Sequence, residues 1–236
     1  MCYSNASTSK NVDLSKRYKK AVPQGLDESP VFFASGFTFP QWRVITAKED
    51  IQVMHWGLIP SWFSDSNPKD IASKTLNARV ETLDEKASFR NLIARNRCIV
   101  PSTGFFEWQT NGLRKTPFFI HPPENEVFSM AGLFDQWVNP LDGQVRSTFT
   151  IITCAANALM EEIHNTKKRM PVVLDVSQEK EWLNGTLAPG SISTVLSDAS
   201  MLAHEVEQRI ISGKHPNCAE VQLPFHNTYF EQGSLF

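Results

Sequence analysis

"RCIVPSTGFFEWQTNGLRKTPFFIHP" (residues 97–122) carries the clearest structural instruction in the chain. Asn111-Gly112 lies between two apolar runs. Both residues tolerate the positive φ that a tight hairpin turn demands, so the dipeptide predicts antiparallel strands on either side. The pattern recurs downstream. "VFSMAGLFDQWV" (127–138) and "STFTIITCAA" (147–156) flank a turn near Asp142-Gly143, which predicts a second hairpin. Upstream, "VFFASGFTFP" (31–40), "WRVITA" (42–47) and "IQVMHWGLIP" (51–60) read as extended segments, the last ending at Pro60. "MPVVL" (170–174), "HEVEQRI" (204–210) and "AEVQLPF" (219–225) read as short later strands.

Helical patterning is sparse. "ASTSKNVDLSKRYKKAV" (6–22) spaces Leu14, Tyr18 and Val22 at four-residue intervals, one face of a helix. "DEKASFRNLIARN" (84–96) predicts a short helix with Ala87, Phe89 and Ile93 inward. "NALMEEIH" (157–164) reads as helical. "SQEKEWLNG" (177–185) reads as a helix capped by Ser177, with Glu181 one place late for a capping box. Strands in hairpins with a few short helices predict an α+β fold, mainly antiparallel, with a barrel-like β-sheet core and flanking helices. The 236 residues, 41% hydrophobic, suit a single domain over 1–236. No Gly-rich turn opens a βαβ unit, which argues against a nucleotide-cofactor fold.

Composition narrows the function. The formal net charge of −2 gives no overall basic field, so any affinity for nucleic acid must be local. "KTLNAR", "FRNLIARNR" and "NTKKR" supply local cations, which equally suit a solvated face. The four cysteines, Cys2, Cys98, Cys154 and Cys218, lack metal-ligand spacing and suggest no disulfide framework. No metal and no cofactor are expected, and a reducing, cytoplasmic setting is. The first twenty residues lack the apolar stretch of a signal peptide, and no run approaches a membrane span.

Several residues could carry chemistry. Cys2 follows Met1 directly. Were Met1 removed, Cys2 would offer a free amine and a thiol on neighbouring carbons, a pair that can close a five-membered thiazolidine on an aldehyde. The same cysteine could be a small residue at a frayed end. In "LNARVET", a strand would project Asn77, Arg79 and Glu81 from one face, suiting a phosphate or sugar oxygen, or a plain Arg–Glu pair. Glu107 sits among Phe105, Phe106 and Trp108, where burial would raise its pKa towards neutrality, unless it faces water. His164 precedes Lys167, Lys168 and Arg169, cations that favour a nearby anion. Trp62 and Phe63 are adjacent and point oppositely in an extended chain, so one of them is a candidate stacking platform for a base.

Taken in order, these stretches resemble one family. Cys2, W-G-L-I-P-S-W (56–62), N-A-R-V-E-T (77–82), R-C-I-V-P-S-T-G-F-F-E-W (97–108), P-F-F (117–119), A-G-L-F (131–134), the Thr153–Ala156 stretch and I-H followed by R-M-P-V-V-L (169–174) are similar to the SRAP family of abasic-site processing proteins. The resemblance runs from Cys2 to about Leu174, and more loosely to the last strands. It implies covalent capture of abasic sites in single-stranded DNA through a thiazolidine at Cys2, after self-removal of Met1. It assigns Asn77, Glu107 and His164 as catalytic partners. Arg79 and Arg169 would contact phosphate with Lys168 beside them, and Trp62 and Phe63 would stack at the lesion. The implied partner is single-stranded DNA, with a monomer as default and a nucleoid association in a bacterium. The alternative is a thiol peptidase with no DNA role. Two departures stand out. Ser4 replaces a common arginine, and the turn from His164 to Arg169 is two residues longer than the family pattern.

Overall fold

The computed structural model describes residues 2–65, 67–124, 126–188 and 201–225. Met1, whose removal the thiazolidine chemistry requires, lies outside them. Along the described chain run β1 (Ser4–Ser7), α1 (Asn11–Tyr18), β2 (Val31–Ser35), β3 (Gln41–Val44), β4 (Gln52–Trp56), α2 (Lys69–Lys74) and β5 (Asn77–Arg79). Then come β6 (Arg97–Ser102), β7 (Gly104–Asn111), β8 (Arg114–His121), β9 (Phe128–Val138), β10 (Val145–Ala155) and α3 (Ala158–Ile163). The chain continues with β11 (Arg169–Pro171), β12 (Val173–Leu174), α4 (Val176–Leu183), β13 (Leu202–Glu205) and α5 (Gln208–Ile211).

The strands form a five-stranded sheet, β13-β8-β7-β1-β2, and an eight-stranded sheet built on β9 and β10. Pairing is antiparallel except where β4 and β5 run parallel to β10. The α+β, mainly antiparallel expectation therefore holds. The sheets do not close into a continuous barrel. A single bridge, with Ile45 and Ile99 exchanging N–H···O bonds of 2.9 and 2.8 Å, ties the end of β3 to β6.

Both hairpins form where read, with the glycines alone taking positive φ. Asn111 is the last residue of β7 and faces Arg114, so Gly112, at φ +60°, and Leu113 make the first turn, and Gly143 has φ +69° between β9 and β10. β10 organises the larger sheet. One edge pairs with β9 over seven residues. The other edge serves β4 at Thr148–Phe149 and then β5 at Ile151–Thr153, while β11 takes over the β9 edge at Thr153–Ala155. Aromatic side chains fill the core. Trp56, Trp42 and Trp182 are buried, and each indole N–H donates to a carbonyl, on Leu76, Pro101 and Cys98 respectively, at 2.8–2.9 Å. Burying such polar tips without partners would forfeit part of what burial of the rings gains.

Five local expectations give way. Residues 84–96 form a run of turns, where i→i−3 bonds (Phe89 to Lys86, Leu92 to Phe89) alternate with i→i−4 bonds. Phe89 and Leu92, three apart, are the buried pair, while Ala87 is exposed. α1 stops at Tyr18 because Lys19 turns left-handed at φ 54°, leaving Val22 exposed. β4 ends at Trp56, where Gly57 takes φ +113°, three residues before Pro60. Residues 219–222 form a 3-10 turn, and α4 begins at an Asp175 cap whose N–H donates to Gln178 Oε1 at 3.0 Å.

Candidate functional site at the seam of the two sheets

β1 is a short polar stretch, "SNAS", with all four residues buried. It is hidden because it is a central strand, with β2 on one side and β7 on the other. Ser4 pairs with Phe106, so the next residue along β7 is Glu107 and the chain ahead of β1 runs beside it. Cys2 is thereby carried to the middle of the fold, with no exposed surface. Its thiol donates to the Ser4 carbonyl across 3.8 Å. Burial pushes the thiol pKa up, and the charge of Glu107 pushes it further, so the sulfur stays protonated at neutral pH.

The other sheet brings the remaining groups. β5 sets Asn77 against Ile151 of β10, and Asn77 Nδ2 donates to the Cys2 carbonyl at 2.9 Å. Asn77 Oδ1 is buried and has no hydrogen-bond partner among the described residues. Glu107 is buried, and burial raises its carboxyl to about 8, so a proton can enter or leave it near neutrality. His164 caps the C-terminal end of α3. Its Nδ1 sits 2.9 Å from the Arg169 carbonyl, which fixes the proton on that nitrogen, and 3.9 Å from Glu107 Oε1. Burial lowers the His164 pKa, favouring the neutral ring.

The longer turn after His164 is docked rather than loose. Asn165 accepts from the Thr110 N–H at 3.1 Å and donates to the Thr110 carbonyl at 2.9 Å, as a neighbouring strand would. This ties the turn to β7, the strand that carries Glu107. Lys168 absorbs the extra length with φ +49°, and its N–H closes on the His164 carbonyl at 2.8 Å.

Sequence-predicted residues thus fall into four groups. Cys2, Asn77, Glu107, His164 and Arg169 converge at the seam. Arg79 is exposed beside it, lining a cleft of about 330 Å³ with Tyr3, Lys74, Asn77, Lys86 and Phe89. Lys168 stands outside on the turn, 3.8 Å from Glu161. Trp62 and Phe63 do not line the cleft. Phe63 packs with Ile59, Ile71 and Trp137, and Ile71 of α2 also lines the cleft, so one helix separates them. Trp62 is 56% exposed with its ring edge-on to Phe63. Asp135, which accepts from the Ser61 N–H at 2.7 Å, anchors that loop and was not apparent from the sequence.

Arg169 is buried, and its guanidinium is committed inside the protein. It donates to both Glu81 oxygens at 2.6 and 2.9 Å, and to the Thr153 carbonyl at 2.7 Å. These bonds hold the Glu81 carboxyl below the usual carboxylate range. Asn77, Arg79 and Glu81 do not share a face as alternation suggested. β5 ends at Arg79, and a 3-10 turn (Val80–Thr82) swings Glu81 towards β11. Among the described residues, no three His, Cys, Asp or Glu side chains gather as they would around a metal ion. No helix of those residues is long and apolar enough to cross a membrane.

The seam thus sets an acid poised near neutrality and a neutral imidazole around a buried thiol. The sequence settles the protein's kinship: the chain belongs to the SOS response associated peptidase (SRAP) family, matching the family profile over residues 1–212. It is 45% identical over 132 residues to the abasic site processing protein YoqW of Bacillus subtilis (strain 168), covering 56% of each chain. It is 34% identical over 206 residues to YoaM of the same organism, covering 80% of this chain and 87% of that one. The abasic site processing protein HMCES of Xenopus tropicalis is 34% identical over 176 residues, 66% of this chain and 50% of the relative. The chain therefore spans about half the length of YoqW and HMCES. A crystal structure from Bacteroides thetaiotaomicron superposes with a TM-score of 0.87 at 36% identity, covering 95% of this chain and all of that one.

Proposed function

We propose that this protein processes abasic sites in single-stranded DNA by linking to them covalently through Cys2 once Met1 has been removed. The observation that carries the reading is the convergence of Cys2, Asn77 and Glu107 from two different sheets, beside a cleft lined by Lys74, Arg79 and Lys86. Relatives named as abasic site processing proteins support it.

The chemistry follows from the protonation states. An abasic sugar opens to an aldehyde at C1′. The Cys2 amine attacks that carbon, and the carbinolamine loses water to give an imine. Glu107, with its carboxyl near 8, supplies the proton that lets hydroxide leave as water. The thiol then adds to the imine carbon, its proton passing to the nitrogen side, and a five-membered ring closes within one residue. Because the thiol is held protonated, the amine acts first and the sulfur second. Asn77 Oδ1 is a buried acceptor without a partner among the described residues, suited to a sugar hydroxyl. His164, neutral and oriented, can take a proton as the sugar ring opens. Cations along the cleft suit the flanking phosphates, and Trp62 offers a face for a neighbouring base.

A thiol peptidase acting on other proteins would need an activated thiolate, normally made by a lowered pKa. Burial and Glu107 drive the Cys2 thiol the other way, which favours aldehyde capture. The test is incubation of Met1-free protein with a single-stranded oligonucleotide bearing one abasic site, followed by a denaturing gel. A slow-migrating species that disappears with Cys2→Ala is expected. Its absence, with cleavage of a peptide instead, would overturn the proposal in favour of the peptidase.

A further inference from the structure

We propose that Glu81 is a positioning residue for His164, acting through Arg169. The kinetic part of this inference rests on the abasic-site reading above. Arg169 has two ends with separate tasks. Its guanidinium is gripped by both Glu81 oxygens and by the Thr153 carbonyl, while its own carbonyl accepts from His164 Nδ1 at 2.9 Å. Fixing the side chain fixes the residue, and fixing the residue holds the imidazole in one tautomer with Nε2 as its basic nitrogen. The grip is asymmetric: the Arg169 side chain is 6% exposed and that of Glu81 47%. Glu81 also lies two residues beyond β5, the strand of Asn77, so the pair ties β5 to β11 across their shared neighbour β10.

The charge of Glu81 matters as well as its grip. Glu107 on β7 stands 3.9 Å from His164, the Arg169 carbonyl on β11 2.9 Å away, and the Lys167 charge acts from the turn, while Glu161, Glu162 and Lys168 are near it along the chain, Glu161 paired with Lys168 at 3.8 Å. After burial, the amino-terminal charge, Arg169 and Lys167 press the His164 pKa down. Glu81 offsets the Arg169 charge. Removing it leaves a buried cation less compensated, so the imidazolium is disfavoured further.

The experiment uses the full chain with Glu81→Gln, Glu81→Asp and, as control, the exposed Glu85→Gln. Imidazole nitrogens are followed by NMR against pH. Glu81→Gln should move the His164 midpoint down by about half a pH unit to one unit and mix its neutral tautomers. Glu81→Asp should restore much of both, and Glu85→Gln should match wild type. Wild-type midpoint and tautomer in Glu81→Gln would overturn the inference. If Glu81→Gln does not fold, Arg169→Lys, which keeps the charge but loses the two-pronged grip, is read in its place. Mixed tautomers then support the inference and a single Nδ1–H form overturns it. In parallel, adduct formation should slow about tenfold in Glu81→Gln. If wild type forms no adduct, the abasic-site reading fails, and the NMR result still decides the role of Glu81.

Discussion

Cys2 and Cys98 are both fully buried thiols, and burial pushes both pKa values up. Their surroundings differ in every other respect. Cys98 lies within β6, paired with Gly132 of β9, and its carbonyl accepts from the Trp182 indole. Burial is the whole cause of its shift. Cys2 lies two residues ahead of a strand, with the Glu107 charge acting on its sulfur and the Asn77 amide on its carbonyl. The back wall of the larger sheet uses cysteine as a small apolar residue, while the seam surrounds it with groups that move protons. Under the proposed function, depth alone does not make a reactive thiol, whereas a poised acid and an oriented amide at the same depth do.

The sharpest way to break this contrast is to exchange the outcomes of the two cysteines. Cys98→Ala should form the abasic-site adduct at the wild-type rate while losing about 1–3 kcal/mol of stability in urea, as small core deletions do. A rate loss at Cys98 would mean that the seam is not a separate functional region. The largest rate effect is expected of Glu107→Gln, which should slow adduct formation by about 10²–10⁴ while DNA retention stays near wild type. The same variant has a pH signature. The raised carboxyl pKa means that Glu107 favours the folded state when protonated, and this contribution is lost as pH rises through about 8. Denaturation at pH 5 and pH 9 should show the variant gaining on wild type at the higher pH. A constant difference would show that Glu107 is not a buried acid.

Smaller effects test the rim. Arg79→Ala should weaken single-stranded DNA binding uniformly across sequences and flatten the log-affinity against log-salt slope by roughly 0.7–1. Trp62→Ala should lose about 1–3 kcal/mol of DNA affinity without changing the thermal midpoint, because its ring is mostly outside the core. An unchanged affinity would remove Trp62 from the interface.

Much of the framework was legible because its signals are local. Gly112 and Gly143 set two hairpins through backbone conformations that few other residues accept. β1 was not legible: "SNAS" has no alternation to read, and its burial comes from being sandwiched between β2 and β7. The 84–96 stretch misled because inward residues three apart suit tight turns as well as one helical face. In the seam, Cys2, Asn77, Glu107 and His164 could be named from motif resemblance, and residue character alone left each one open. The Glu81–Arg169 grip could not be read at all, since its partners lie 88 positions apart and a 3-10 turn redirects Glu81 away from Arg79. Local chemistry announces turns. Long-range pairing has to be seen.

Each edge of β10 takes two guests in succession, β4 then β5 on one and β9 then β11 on the other, and β5 and β11 deliver the amide and the arginine of the seam. A single residue gained or lost inside Val145–Ala155 would flip the strand's side chains beyond that point and throw every later guest out of phase. Loops such as the one after His164 can lengthen at little cost, but the ruler against which they are measured has to keep its count.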